Sequence, residues 1–175
     1  LRRDRLKEGD SLMLAGMVGA SGCGLDEWLK EDKHSFWCEP LPQVSDELLA
    51  HLRPDPPLWA GPKALALGAR SGIDLSDGLT TDLGHLARAS GLTLIVDVEN
   101  VPWSPTSRSL PLEHVLSFGE DYCLLVGVSP KLTHEFEALG FVDIGRTVAG
   151  DSVVRFRRKQ HFLEINTSPF EHFED

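Results

Sequence analysis

Cysteine is scarce in this 175-residue chain: Cys23, Cys38 and Cys123 form no C-x-x-C pair and leave one over, which argues against a disulfide framework. His34 lies four residues before Cys38, yet no second such pair accompanies it, so an ordinary surface loop is the plainer reading than a metal site. The remaining histidines are scattered and read as structural or solvated. No apolar run reaches the roughly 18–20 residues of a membrane span, and no signal peptide opens the sequence, which points to the cytoplasm. Basic residues are outnumbered, 17 Lys and Arg against 27 Asp and Glu. A net charge of −10 argues against a general nucleic-acid or anionic-membrane surface. Glycines cluster in Gly16-Met17-Val18-Gly19-Ala20-Ser21-Gly22, but the lysine and the spacing of a P-loop are missing, so a tight strand-to-helix turn is expected there. Internal repeats and low-complexity tracts are absent as well.

What is present suits one compact domain. The length can bury a real core, and 41% hydrophobic with 25% charged residues is ordinary for a globular protein. Residues 11–15 read as a strand, with a helix starting near Leu25. Residues 30–44 read as irregular. Ser45-Asp46-Glu47 opens a short helix that ends before Arg53-Pro54, and 54–62 is a proline-punctuated loop. Lys63 to Arg70 returns to helix. Leu92 to Val98 is a β run closed by Pro102, and 102–111 is a Pro/Ser-rich loop of the kind that often lines a site. Ser129-Pro130 starts a helix reaching Leu139, with Gly140 as its stop. Residues 141–148, 152–158 and 161–165 read as strands, the last two as a hairpin. Helices and strands mix without strict βαβ order, so the expected class is α+β, a mixed sheet with helices packed on it.

The chemistry concentrates in Gly72-Ile73-Asp74-Leu75-Ser76-Asp77-Gly78-Leu79, where a short apolar run gives way to a helix. Leu79, Leu83, Leu86 and Ala87 recur at helical spacing, and Gly91 is the stop signal. Ser76 or Asp77 is placed to cap the first turn, where free N–H groups and the helix dipole favour anions. With Asp74 just before that turn, two carboxylates can converge on one point, an arrangement suited to Mg²⁺ carrying phosphate. By spacing alone the same residues also serve as ordinary caps, and Asp82 as a dipole-compensating surface acid. Downstream, Phe118-Gly119-Glu120-Asp121-Tyr122 again sets two acids directly before an apolar strand, Cys123 to Val128. Acids at both strand edges are unfavourable unless they are exposed or met by a cation.

The run G-I-D-L-S-D-G-L-x-x-D-L-x-H-L, the later G-E-D-Y and the closing P-F-E-H-F resemble thiamine-monophosphate kinase, within the superfamily of aminoimidazole ribonucleotide synthetase. Gly9-Asp10, the run Gly16-x-x-Gly19-x-Ser21-x-x-Gly24-Leu25, His51-Leu52-Arg53-Pro54-x-Pro56 and Ile144-Gly145-Arg146 fit in the same order. The resemblance runs from Arg3 to Phe173. It implies that residues 1–175 are the C-terminal ATP- and substrate-binding half of a larger enzyme. An N-terminal domain carrying most metal-binding aspartates and the dimer interface would be absent from this chain, and the fragment would be inactive alone. The implied reaction moves the γ-phosphoryl of ATP onto thiamine monophosphate to give thiamine diphosphate, with Mg²⁺ as cofactor.

Carried over residue by residue, Asp74 and Asp77 resemble the family's Mg²⁺ ligands and Ser76 its ATP-contacting hydroxyl. Arg3 stands where an arginine touches the nucleotide phosphates, though it is also one of several surface arginines. Glu120 matches an acid that contacts thiamine phosphate. Phe170 matches an aromatic that packs on the substrate ring, or is a tail residue covering core. No catalytic base is implied. Departures flank Glu120: Phe118 replaces a glycine, and Cys123 stands where a second glutamate is common. Pro57 and Ala20 also depart, replacing an arginine and an aspartate. Two alternatives to the kinase stay open. One is a superfamily relative with another ATP-dependent reaction, such as aminoimidazole ribonucleotide synthetase, selenophosphate synthetase or the hydrogenase-maturation enzyme. The other is a non-catalytic nucleotide-binding domain.

Overall fold

Ser11–Ala15 (β1) is buried along its whole length and lies in the interior of a seven-stranded sheet. The computed structural model describes residues 1–30 and 44–165. The irregular segment expected at 30–44, with His34 and Cys38, falls almost wholly outside them, and so does Phe170 with the closing aromatic run.

The other strands are Ser71–Leu75 (β2), Thr93–Asp97 (β3), Cys123–Val128 (β4), Val142–Val148 (β5), Val154–Arg158 (β6) and His161–Phe162 (β7). They line up in the order β2-β4-β1-β5-β3-β6-β7. All neighbours are antiparallel except β3 and β6, which run parallel. The helices are Ala20–Lys30 (α1), Asp46–Leu52 (α2), Ala60–Ala66 (α3), Leu79–Ser90 (α4), Leu112–Leu116 (α5) and Thr133–Ala138 (α6). This mixed sheet flanked by helices is the α+β class that the sequence implies. Among the described residues no helix is long and apolar enough to cross a membrane.

Alternation along the central strands divides the core in two. Leu12, Leu14, Ile73, Leu75 and Leu125 pack with Leu79, Leu83, Leu86 and Ala87, the apolar stripe of α4. Met13, Ala15, Val126 and Val128 point the other way, onto Ala60, Ala64 and Phe136 of α3 and α6. Gly91 ends α4 in the left-handed region at φ 67°, as its stop position predicts. Ser45 caps α2, its hydroxyl accepting from Leu48 N at 3.0 Å.

Several boundaries differ from the sequence reading. α1 starts at Ala20 rather than near Leu25, so the glycine-rich turn runs into the helix. α3 starts at Ala60, before Pro62, because proline is tolerated in a first turn where its missing N–H would have no helical partner. The expected helix from Ser129 opens as a 3-10 turn at Pro130–Leu132 and becomes α only at Thr133. α5 had no counterpart in the sequence reading, and the last strand shrinks to two residues. The β6–β7 hairpin is as expected.

Gly22 and Gly24 explain how α1 tolerates so much glycine. A Cβ on Gly22 would lie 2.0 Å from the Phe118 ring, and one on Gly24 2.1 Å from the Glu47 carbonyl oxygen of α2. Both are contact surfaces where the helix is drawn close to its neighbours. Gly24→Ala is therefore expected to destabilise the chain by ~2 kcal/mol or more in urea titration, because the obstructing atoms are backbone. Gly61→Ala in α3 has open space around it and is expected to stabilise by ~0.5–1 kcal/mol. Equal effects of the two would refute the close-approach argument.

Candidate functional site

The sheet order brings three separate segments to one end of the molecule. β4 pairs antiparallel with both β1 and β2, in the registers Ala15↔Leu124 and Leu75↔Cys123. The residues leaving β1, those leaving β2 and those entering β4 are consequently neighbours. These are Gly16–Ser21, Ser76–Gly78 and Gly119–Tyr122, the stretches singled out from sequence.

The two acidic turns are stitched together through backbone. Glu120 N donates to Ser76 O and Tyr122 N to Leu75 O, both at 2.8 Å. To make these bonds Glu120 and Tyr122 adopt left-handed backbone, φ 62° and 51°. Such conformations are unfavourable for residues with a side chain and are kept where the surroundings impose them. Gly78, at φ 101°, closes the corner; a Cβ there would meet the Ser117 and Phe118 carbonyl oxygens at 3.0 Å.

The capping differs from the sequence expectation. Neither Ser76 nor Asp77 caps α4; Gly78 is the N-cap and no side chain bonds there. Instead Asp82 reaches back from the first turn, and its Oδ2 accepts from Asp77 N at 2.9 Å. Asp82 is 2% exposed, so it is a buried bracket for the corner rather than a surface acid. Burial pushes its carboxyl above the ordinary range. The Asp77 backbone amide opposes that shift, while the nearby Asp77 and Asp74 charges reinforce it.

Asp121 is the matching bracket on the other side. Its Oδ2 accepts from Gly19 N at 2.7 Å and its Oδ1 from Ser21 N at 3.1 Å. It therefore caps α1 from 100 residues away, and that anchor sets the helix start at Ala20. Burial nevertheless pushes its carboxyl up to about 6, outweighing the amides that favour its charged form.

Of the residues assigned from sequence, Asp77 is half-buried and joined by Asp82 and His85, with one ligand atom from each lying within 4.8 Å of the others. Ser76 Oγ donates to Asp77 Oδ1 at 3.1 Å. Asp74 is exposed on β2; alternation turns it to the sheet face away from Ile73 and Leu75. It lies beside the cluster but is not a member of it. Glu120 is exposed, with Oε2 3.4 Å from His51 Nδ1. Arg3 sits at the opposite end of β2 and α4: its carbonyl accepts from Ser90 Oγ at 2.7 Å, while the preceding Arg2 carbonyl accepts from Gly72 N. Asp10 is fully buried, ion-paired with Arg70 and accepting from Lys7 N, and so is a structural residue.

Next to the stitched turns lies a cleft of about 690 Å³, bounded by Met17, Ser21, Ala50, Arg53, Pro105 and Asp121. That volume falls in the range of small-molecule sites. Cys123 lines it, but burial pushes its thiol up to about 12, so it is inert as a nucleophile at neutral pH. Sequence reasoning missed Asp121, Asp82 and His51 as site components. All three stood in noted motifs, but nothing local signalled the bracketing roles of Asp121 and Asp82 or the partner of His51.

The chemistry of the donors fits a hard divalent cation: Asp77 and Asp74 offer carboxylate oxygens at the mouth of the corner. The sequence profile of the family described as AIR synthase related protein, C-terminal domain, matches residues 7–157. A thiamine-monophosphate kinase of Mycobacterium tuberculosis is 32% identical over 163 residues, covering 87% of this chain and 44% of that protein. Another, of Salmonella typhimurium, is 34% identical over 191 residues, covering 99% of this chain and 55% of that protein. Among solved structures, AaThiL complexed with AMPPCP and TMP matches with a TM-score of 0.75 at 26% identity, covering 98% of this chain and 53% of that one. The chain spans about half the length of the relatives it matches.

The Asp121 bracket gives stability a defined pH dependence. Its carboxyl binds a proton more tightly in the folded state, about 6, than at its ordinary value of 3.8. Its contribution is therefore complete below about pH 4 and is lost as pH rises through 6, on the order of 2–3 kcal/mol in all. Asp121→Asn is expected to flatten the fall in urea-unfolding stability between pH 4 and 7, even though the lost cap lowers stability throughout. A slope unchanged from wild type would exclude Asp121 as its source.

Proposed function

The chain belongs to the AIR synthase related protein, C-terminal domain family, and from that premise we propose that it is the C-terminal half of an Mg²⁺-dependent kinase acting on thiamine monophosphate. The observation that carries this reading is the stitching of the D-x-S-D corner to the G-E-D-Y turn at one end of the sheet. Relatives carrying thiamine-monophosphate kinase names, and a fold match to AaThiL complexed with AMPPCP and TMP, support it.

The acceptor in such a reaction is a phosphate monoester, whose second pKa is about 6, so its attacking oxygen is already charged near neutrality. No general base is required of the chain. The obstacle is repulsion: two unit charges at 4 Å interact by about 4 kcal/mol even at an effective dielectric of 20. A bound Mg²⁺ supplies the neutralising charge, and Asp74 and Asp77 are the residues here that would hold it. Ser76 Oγ, which now donates to Asp77, would turn its proton toward a nucleotide phosphate. Glu120 would meet the cationic thiazolium and Phe170 the substrate ring, whereas Arg3, matched to the nucleotide phosphates by its sequence position, lies at the far end of α4 from this corner. The stitched backbone fixes the Ser76–Asp77 corner and the Glu120 backbone before substrate arrives, which lowers the ordering left for the moment of reaction.

In this reading the parent protein contains a second, N-terminal domain with the remaining metal ligands, forms a homodimer and works in the cytoplasm. The 175-residue chain alone is then expected to show no appreciable ATP-dependent conversion of thiamine monophosphate, with activity appearing when the N-terminal half is supplied. Robust turnover by the chain alone would overturn that division of labour. In the full-length parent, Asp77→Asn is expected to lower turnover by orders of magnitude while leaving the thermal midpoint within a few degrees of wild type. An unchanged rate would remove Asp77 from the metal site.

A further inference from the structure

The motif His51-Leu52-Arg53-Pro54 has no role in the mechanism so far, yet its histidine is placed against the proposed substrate acid. His51 Nδ1 is 3.0 Å from Ser21 Oγ and 3.4 Å from Glu120 Oε2. Its side chain is 17% exposed, against 57% for Glu120. We propose that His51 is a positioning residue for Glu120, holding one carboxylate oxygen so that the other is presented to the cationic ring of the acceptor. This deepens the kinase reading above and rests on it for the identity of the acceptor.

Both ends of the contact are anchored before the side chains meet. α2 is capped by Ser45 and drawn against α1 at Gly24, which fixes the His51 backbone. The Glu120 backbone is fixed by its bond to Ser76 O. What remains free is the Glu120 side chain, with three rotatable bonds of its own. Among the described residues it makes no other side-chain hydrogen bond or ion pair. Ser21, 1% exposed, meets the same Nδ1, and its own amide donates to Asp121. The start of α1 thus braces both acids of the G-E-D-Y turn, Asp121 directly and Glu120 through His51.

The proposed clamp requires one ring tautomer. An ionised carboxylate only accepts, so a lone pair on Nδ1 would face a lone pair on Oε2. For His51 to hold Glu120, Nδ1 must carry the hydrogen, with the Ser21 hydroxyl oxygen accepting alongside the carboxylate.

Two measurements test this. In the full-length parent, His51→Ala should raise the KM for thiamine monophosphate roughly five- to tenfold, the scale of ordering one long side chain. The KM for ATP and kcat should change less than twofold. His51→Asn, whose amide branches where Nδ1 does, should restore most of the loss, and His51→Gln, which reaches the Nε2 position, should not. Equal rises in both KM values, a loss confined to kcat, or rescue by Gln as good as by Asn would overturn the proposal. The second measurement uses the 175-residue chain and needs no activity: long-range ¹H–¹⁵N NMR of the imidazole. Protonated Nδ1, shifting toward the Nε2–H form in Glu120→Gln, supports the clamp. An Nε2–H ring indifferent to Glu120→Gln overturns it. Should the wild-type parent fail to phosphorylate thiamine monophosphate, the kinase reading falls, and the NMR result still decides whether His51 holds Glu120.

Discussion

Two amide-to-carbonyl bonds, Glu120 to Ser76 and Tyr122 to Leu75, set the geometry on which the rest of the site depends. They extend the β2–β4 ladder past its regular end and force two residues into left-handed backbone. The strain is tolerated because both flanking strands are locked in the core: Leu75 and Leu125 are almost fully buried against α4. Such a junction joins two distant acidic turns with positions defined by backbone rather than by flexible side chains.

Crowding carboxylates at one end of a chain that already carries net charge −10 needs compensation, and the structure divides the acids by how they receive it. Asp82 and Asp121 are compensated by backbone amides, the first from Asp77, the second from Gly19 and Ser21. Both hold turns in place, Asp82 buried and Asp121 partly so. Asp74 and Glu120 remain exposed and Asp77 half-exposed, so their charge is left for something outside the fold. Acids that look alike in the sequence thus do opposite work. Partner and burial separate them: burial raises the proton affinity of Asp82 and Asp121, whereas Asp74 and Glu120 stay open to water.

How legible each part was follows from the range of the interaction behind it. α4, its Gly91 stop, the Ser45 cap and the central strands depend on neighbours within a turn or two, and periodicity finds them. The start of α1 depends on a cap from Asp121, and the packing of its glycines on Phe118 and Glu47. A reading confined to Gly16–Gly22 could only see loop residues there. The same limit hid the buried state of Asp82, because an acid in a first helical turn is usually a surface residue, and only the fold shows the Asp77 amide waiting for it. His51 was visible as part of a motif but had no partner until α2 was laid against α1. The chemistry of the corner was legible for a different reason: its residues are contiguous, and their spacing survives in sequence whatever the rest of the chain does.

The distribution of positive charge leads one step further. Among the described residues, Arg2, Arg70 and Arg157 pair with Asp4, Asp10 and Asp97, none of which belongs to the corner. Asp74, Asp77 and Glu120 have no lysine or arginine ion-pair partner among those residues, and Arg3 is at the far end of α4. A polyphosphate approaching this corner would meet carboxylates first, with Arg53 on the wall of the adjoining cleft rather than paired with them. The acidic corner itself is therefore complementary to a cation, and to an anion only when a cation arrives first or with it. That ordering is what a metal–nucleotide complex provides. It also accounts for a scaffold that spends its amides on Asp82 and Asp121 while leaving Asp74 and Asp77 at the opening: satisfying every acid internally would leave nothing to bind the metal.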